Sequence, residues 1–88
     1  MLYEIDMTDV STPAEFQDRV QESLPCPEHY GRNLDAFYDM LTEFGGDWEI
    51  IFQNCEDMGS SLHTYFTKVW SLCATAVEDC HGLRVSFR

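Results

Sequence analysis

Apolar residues fall into six blocks along the chain, and the spacing within each block predicts its backbone. Leu2, Tyr3, Ile5 and Met7 sit close to alternate positions, as in a short strand. In Thr12-Pro13-Ala14-Glu15 a capping hydroxyl, a first-turn proline and a glutamate at the third helical position predict a helix from Pro13. Its stripe is Phe16, Val20 and Leu24, and Pro25-Cys26-Pro27 ends it. Asn33 is a good N-cap for a second helix, which runs to about Phe44 before Gly45-Gly46 stops it. Trp48 to Gln53 reads as a second strand, and its contiguous Ile50-Ile51-Phe52 suggests burial on both faces and an internal place in a sheet. Ser60 or Ser61 opens the longest helix, with Leu62, Tyr65, Phe66, Val69, Leu72, Cys73, Ala76, Val77 and Cys80 at spacings of three and four. Leu83, Val85 and Phe87 then alternate with Arg84, Ser86 and Arg88, which predicts a last strand with one exposed face and a basic edge.

The order β-α-α-β-α-β predicts an α/β domain spanning residues 1–88: a small three-stranded parallel sheet packed with helices, because parallel strands need crossover connections. A chain of 88 residues buries only about 60–65% of its unfolded surface, so there is one modest core and little room for a deep enzyme cleft.

Charge narrows the partners. Sixteen Asp plus Glu against five Lys plus Arg give a formal charge of −11, which excludes an ordinary nucleic-acid or anionic-membrane binder and favours a cation-rich partner. No apolar run approaches the roughly 18 residues of a membrane span, and Met1-Leu2-Tyr3-Glu4 lacks the basic start of a signal peptide, so a cytoplasmic protein, monomeric when free, is expected. Cys26, Cys55, Cys73 and Cys80 form no CxxC pair, and Cys73 and Cys80 lie two helical turns apart, about 10 Å, so free thiols are expected. No cofactor is implied.

The acidity is concentrated on the second helix. With Asp35 at zero and about 100° per residue, Leu34, Phe37, Met40, Leu41 and Phe44 form the buried arc, while Asp35, Asp39 and Glu43 occupy the opposite one and Tyr38 and Thr42 the border. Such a face can be simple solvated surface. Its local energetics are poor, however: Asp39 is mid-helix, Glu43 lies near the negative end of the helix dipole, and like charges four apart repel with no Lys or Arg on the helix to relieve them. Local frustration of this kind often marks function, here the capture of a cationic partner. The preceding loop adds His29 beside that face, Tyr30 as a residue packed under the helix start, and Gly31, where a positive φ or a close approach is possible. Asp35 and Asp39 as a general acid/base pair would stand on a convex helix with no pocket to shift a pKa. Cys26-x-x-His29 with Cys80-His81 does not match a zinc spacing.

Pro27-Glu28-His29-Tyr30-Gly31-Arg32-Asn33-Leu34-Asp35-Ala36-Phe37-Tyr38-Asp39 resembles the barstar family, bacterial intracellular inhibitors of secreted ribonucleases such as barnase. The resemblance implies a protein that plugs a ribonuclease active site, with helix carboxylates in place of substrate phosphates. It implies Asp35 and Asp39 as the central acids, Tyr38 as an aromatic contact, Asn33 and Leu34 at the helix start and Gly31 in the loop; Thr42 and Glu43 extend the same face. His29 stands where the family has tyrosine, Tyr38 where it has tryptophan, and Thr75 or Ala76 where the best-known member carries an interfacial glutamate. An acidic immunity protein or nucleic-acid mimic, directed at a different basic toxin or protein, shares these electrostatics.

Overall fold

A computed structural model describes residues 1–88. Strand β1 (Leu2–Asp6) leads into helix α1 (Pro13–Ser23) and helix α2 (Leu34–Phe44), followed by strand β2 (Glu49–Gln53), helix α3 (His63–Asp79) and strand β3 (Arg84–Phe87). The three strands are parallel in the order β1-β2-β3, with Ile5 opposite Phe52 and Phe52 opposite Phe87. The predicted fold class and the internal place of β2 are therefore borne out.

Both crossovers step the same way across the sheet, and such connections are right-handed, so all three helices fall on one face. Tyr3, Ile5, Ile50, Phe52, Val85 and Phe87 point towards them, whereas Leu2, Glu4, Asp6, Arg84 and Arg88 are exposed on the other. Ile51 qualifies the expectation of burial on both faces. It is buried, yet it lies outside the core cluster, on the uncovered face between Glu4 and Ser86 of the flanking strands.

Phe16 of α1 is the hub of the core. Its ring meets Phe37 of α2 at 5.8 Å, Phe52 of β2 at 6.1 Å and Phe66 of α3 at 6.3 Å, so one side chain ties every layer together. The Thr12–Glu15 capping box forms as predicted. Helix α3 departs from expectation at its start: Ser60–Leu62 form a three-ten turn, and neither serine caps the helix. That turn is docked instead on the loop after β1, where Ser61 donates to the Ser11 carbonyl (2.8 Å) and Gly59 N–H to the Val10 carbonyl (2.9 Å). Within α3, Val77 proves 39% exposed rather than core, because it lines an open hollow that it shares with Val85 and Phe87 of the edge strand.

Two polar details close the frame. Gly82 has φ +97° and lies so near the Gly46 carbonyl that a Cβ would sit 2.0 Å from that oxygen, so only glycine fits the turn before β3. At the end of β1 the Asp6 carboxylate accepts from Asn54 (2.9 Å) and from the Thr8 hydroxyl (2.7 Å) and amide (3.0 Å), and these bonds draw its pKa down to about 2.

Candidate partner-binding surface

The loop before α2 is held by two anchors on α1. Tyr30 is 8% exposed and donates its hydroxyl to Oε1 of Gln17 (2.6 Å); the Gln17 amide, itself 1% exposed, donates on to the Tyr65 hydroxyl of α3 (3.0 Å). Burial, above all, raises the Tyr30 phenol well beyond its ordinary pKa. Two residues further on, Arg32 adopts φ +55°, and its guanidinium reaches Asp18 (2.8 Å), the Ala14 carbonyl (3.2 Å) and Gln21. The conformational freedom anticipated at Gly31 is thus used differently: Arg32 takes the left-handed backbone, while Gly31 supplies the close approach, since a Cβ there would lie 3.2 Å from that of Ala36.

Asn33 then caps α2, its side-chain oxygen accepting from the Ala36 N–H at 2.8 Å. Phe37, Met40 and Leu41 are buried against the core, which fixes the rotation of the helix and turns Asp35, Asp39 and Glu43 outwards; all three are exposed. The two salt bridges of the molecule, Arg32–Asp18 and Arg84–Glu49, involve none of them. The face therefore keeps its negative charge unneutralised, within reach of any cation that approaches.

Exposed His29, Gly31, Asp39 and Glu43 share the wall of a hollow of about 210 Å³ between the loop and α2. Asn33, Leu34 and Asp35 line a neighbouring hollow with Arg32 and Tyr65. Half-buried Tyr38 and Thr42 lie on the α3 side. The Thr42 hydroxyl is spent within the helix, donating to the Tyr38 carbonyl at 3.0 Å.

Two residues belong to this surface that sequence reasoning left out. Phe44 was expected on the buried arc but is 47% exposed. Its angular position is right, yet it is the last helical residue, and Leu83 and Trp48 close over the next one, Gly45, at 3.1 and 3.6 Å from where a Cβ would be. The ring is left at the rim of the hollow beside Asp39 and Glu43. The second is Asp79, near the end of α3, whose carboxylate accepts the Tyr38 hydroxyl and holds that phenol above its ordinary pKa. The last helix thus brings an acid to the border of the α2 face at Asp79 rather than at Thr75 or Ala76. A pairing across 41 residues leaves no local signal; only the crossing of α2 and α3 reveals it.

No group of three or more His, Cys, Asp or Glu side chains is placed to hold a metal ion. The four cysteines are unpaired, Cys73 and Cys80 are buried, and burial pushes the Cys73 thiol up to about 12. No helix is long and apolar enough to cross a membrane. What the surface offers is an array of exposed carboxylates on α2, with Phe44 at the rim of one hollow and half-buried Tyr38 on the side of α3.

Comparison with known proteins assigns the family. The chain is 30% identical over 76 residues, 85% of its own length and 84% of the other's, to the Bacillus subtilis (strain 168) protein described as "Putative ribonuclease inhibitor YrdF". The family model described as Barstar (barnase inhibitor) matches residues 1–88, and the chain accordingly belongs to the barstar family.

Proposed function

We propose that this protein inhibits a basic, barnase-like bacterial ribonuclease by seating the acidic face of α2 and the loop before it in the enzyme's active site. The observation that carries the reading is the set of exposed carboxylates on α2, at Asp35, Asp39 and Glu43, with no internal counter-ion and on a backbone fixed from behind. A ribonuclease must gather Arg, Lys or His groups to bind the phosphates of RNA. A carboxylate on a rigid helix can take bidentate bonds from an arginine of that cluster, and Asp39, between the hollow and Tyr38, has the central place. Asp35 and Glu43 flank it, while His29, Gly31, Asn33, Leu34, Tyr38 and Thr42 supply the surrounding contact, with Phe44 and Asp79 at its two borders. RNA is then excluded by occupancy; no chemistry by the inhibitor is needed. Family membership and the name of the Bacillus relative support the ribonuclease as target class.

The test is titration of the protein into RNA cleavage by a barnase-type ribonuclease. Inhibition complete at one equivalent, and weakened by Asp39→Ala in a folded variant, is expected. A chain that leaves cleavage untouched at stoichiometric excess is no inhibitor of such an enzyme, and tight binding to a different basic toxin in the same assay series would make it an immunity protein for that toxin.

A further inference from the structure

Asp79 has no local reason to be a carboxylate. It is the last residue of α3, where the negative end of the helix dipole disfavours an acid, and Glu78 stands beside it. The salt bridges of the molecule, Arg32–Asp18 and Arg84–Glu49, leave it without a cation. The one hydrogen bond of its side chain is accepted from the Tyr38 hydroxyl, across the boundary between α2 and α3. Locally unfavourable choices of this kind point to a task outside the element that carries them.

Tyr38 is held by three groups. Its half-buried ring packs against the core, its carbonyl accepts from the Thr42 hydroxyl (3.0 Å), and its own hydroxyl proton goes to Asp79. A phenol has one proton to donate and two lone pairs with which to accept. Once the proton is committed to Asp79, the hydroxyl can meet a partner only as an acceptor. It also stays protonated, because the bond to Asp79 above all, then burial and the charges of Asp79 and Asp39, raise its pKa.

We propose that Asp79 is a positioning residue for the binding face: it locks the Tyr38 ring at the α2–α3 border and fixes its hydroxyl as an acceptor for a nitrogen donor, an arginine or a lysine, of the partner. The proposal rests on the reading of the α2 face as the surface that inhibits a ribonuclease. Ordering a free tyrosine on association costs roughly two- to tenfold in affinity, and a ring already locked in the free protein avoids that cost. The lock also discriminates between partners. A carbonyl or carboxylate brought to the same place would meet the phenol oxygen with no proton between them. Asp79 is thus distinct in role from Asp39, which stands on the face itself and meets the partner directly.

The experiment compares Tyr38→Phe, Asp79→Ala and the double variant of the whole chain, free and bound to a barnase-type ribonuclease. In the free protein, the labelled Tyr38 Cζ signal should titrate at lower pH in Asp79→Ala than in the parent, with the other tyrosines unmoved. In stopped flow, Tyr38→Phe and Asp79→Ala should each speed dissociation at least about fivefold, whereas adding Asp79→Ala to Tyr38→Phe should change it less than about twofold. Lost charge slows association in either background, so dissociation is the quantity that reads the lock. An unchanged Tyr38 titration in Asp79→Ala, or dissociation of either single variant at the parental rate, overturns the proposal. An equal effect of Asp79→Ala with and without the Tyr38 hydroxyl also overturns it, since Asp79 would then touch the partner itself. If the parent leaves RNA cleavage untouched, the inhibitor reading falls and the proposal with it; if the parent inhibits and the variants dissociate as it does, the proposal alone falls.

Discussion

Gln17 is the one polar side chain in the core, and removing it tests how the binding loop is held. Gln17→Leu deletes both its acceptor and its donor. The Tyr30 hydroxyl, 2.6 Å from that acceptor and buried, is left without a partner; the Tyr65 hydroxyl, 3.0 Å from the donor, is half-buried and recovers water. An orphaned buried hydroxyl costs about 1–3 kcal/mol, so a loss near 2 kcal/mol is expected. Tyr30→Phe removes the other end and orphans the Gln17 oxygen, for about 1–2 kcal/mol. In the double variant both ends are gone and no group of that bond is left unpaired. The combined loss should then fall short of the sum by about 1 kcal/mol or more. A domain of this length has roughly 4–13 kcal/mol of stability, so all three variants fold. With a urea slope of about 1–3 kcal/mol/M, midpoints resolve these differences. Additivity within ~0.3 kcal/mol would refute the bond as an energetic unit. In a ribonuclease titration Gln17→Leu should also weaken binding by about 0.5–1.5 kcal/mol without touching the partner, through the cost of re-ordering residues 27–33 on association.

Asp39→Ala should weaken inhibitor–ribonuclease binding by at least ~2 kcal/mol and Asp35→Ala by less, measured by calorimetry; a barstar aspartate is itself the standing illustration of such a hot spot. Phe44→Ala should lower affinity by about 1 kcal/mol with a urea midpoint close to that of the parent, since the ring stands half outside the core. Association in stopped flow should slow steeply between 50 and 500 mM salt, roughly, while dissociation changes little, because screening acts on the encounter. Folding stability should decline as pH rises past 9 to 10. The Tyr30 phenol and the Cys73 thiol have folded pKa values above those of the unfolded chain, so the folded state keeps protons that the unfolded state releases, and Tyr30→Phe or Cys73→Ala should flatten the decline.

Elements bounded by their own local chemistry were legible in the sequence. The Thr12–Glu15 box, the Asn33 cap and the breaks at Pro25 and Gly45 set four helix ends within one residue of their observed places. The contiguous apolar run of β2 marked it as the internal strand, and the helices between the strands made the sheet parallel. What escaped depended on residues far apart in the chain. Gln17 has no local signal because its partners lie 13 and 48 residues away, and α3 starts later than its serines predict because Ser61 answers to Ser11 rather than to its own helix. Phe44 and Val77 sit on apolar arcs whose opposite wall the periodicity cannot show. The same holds for the acidic surface: the α2 face follows from the turn of one helix, Asp79 only from the contact of two.

The carboxylates of α2 set folding and binding against each other. Asp39 and Glu43 have no internal cation, so each holds a helix position that its neighbours make unfavourable, and the buried arc of Phe37, Met40 and Leu41 must offset that repulsion. Neutralising them internally, for example by a lysine at position 42, would relieve the helix and remove the charge a cationic cleft needs. The loop anchors follow the same logic. Arg32 is spent on α1 rather than on Asp35, and Tyr30 turns its hydroxyl inwards to Gln17, so the groups that fix the loop take nothing from the face that binds. Salt should therefore act with opposite sign on the two properties: screening lowers the self-repulsion of a chain of formal charge −11 and stabilises it when free, while it weakens the attraction on which the complex depends.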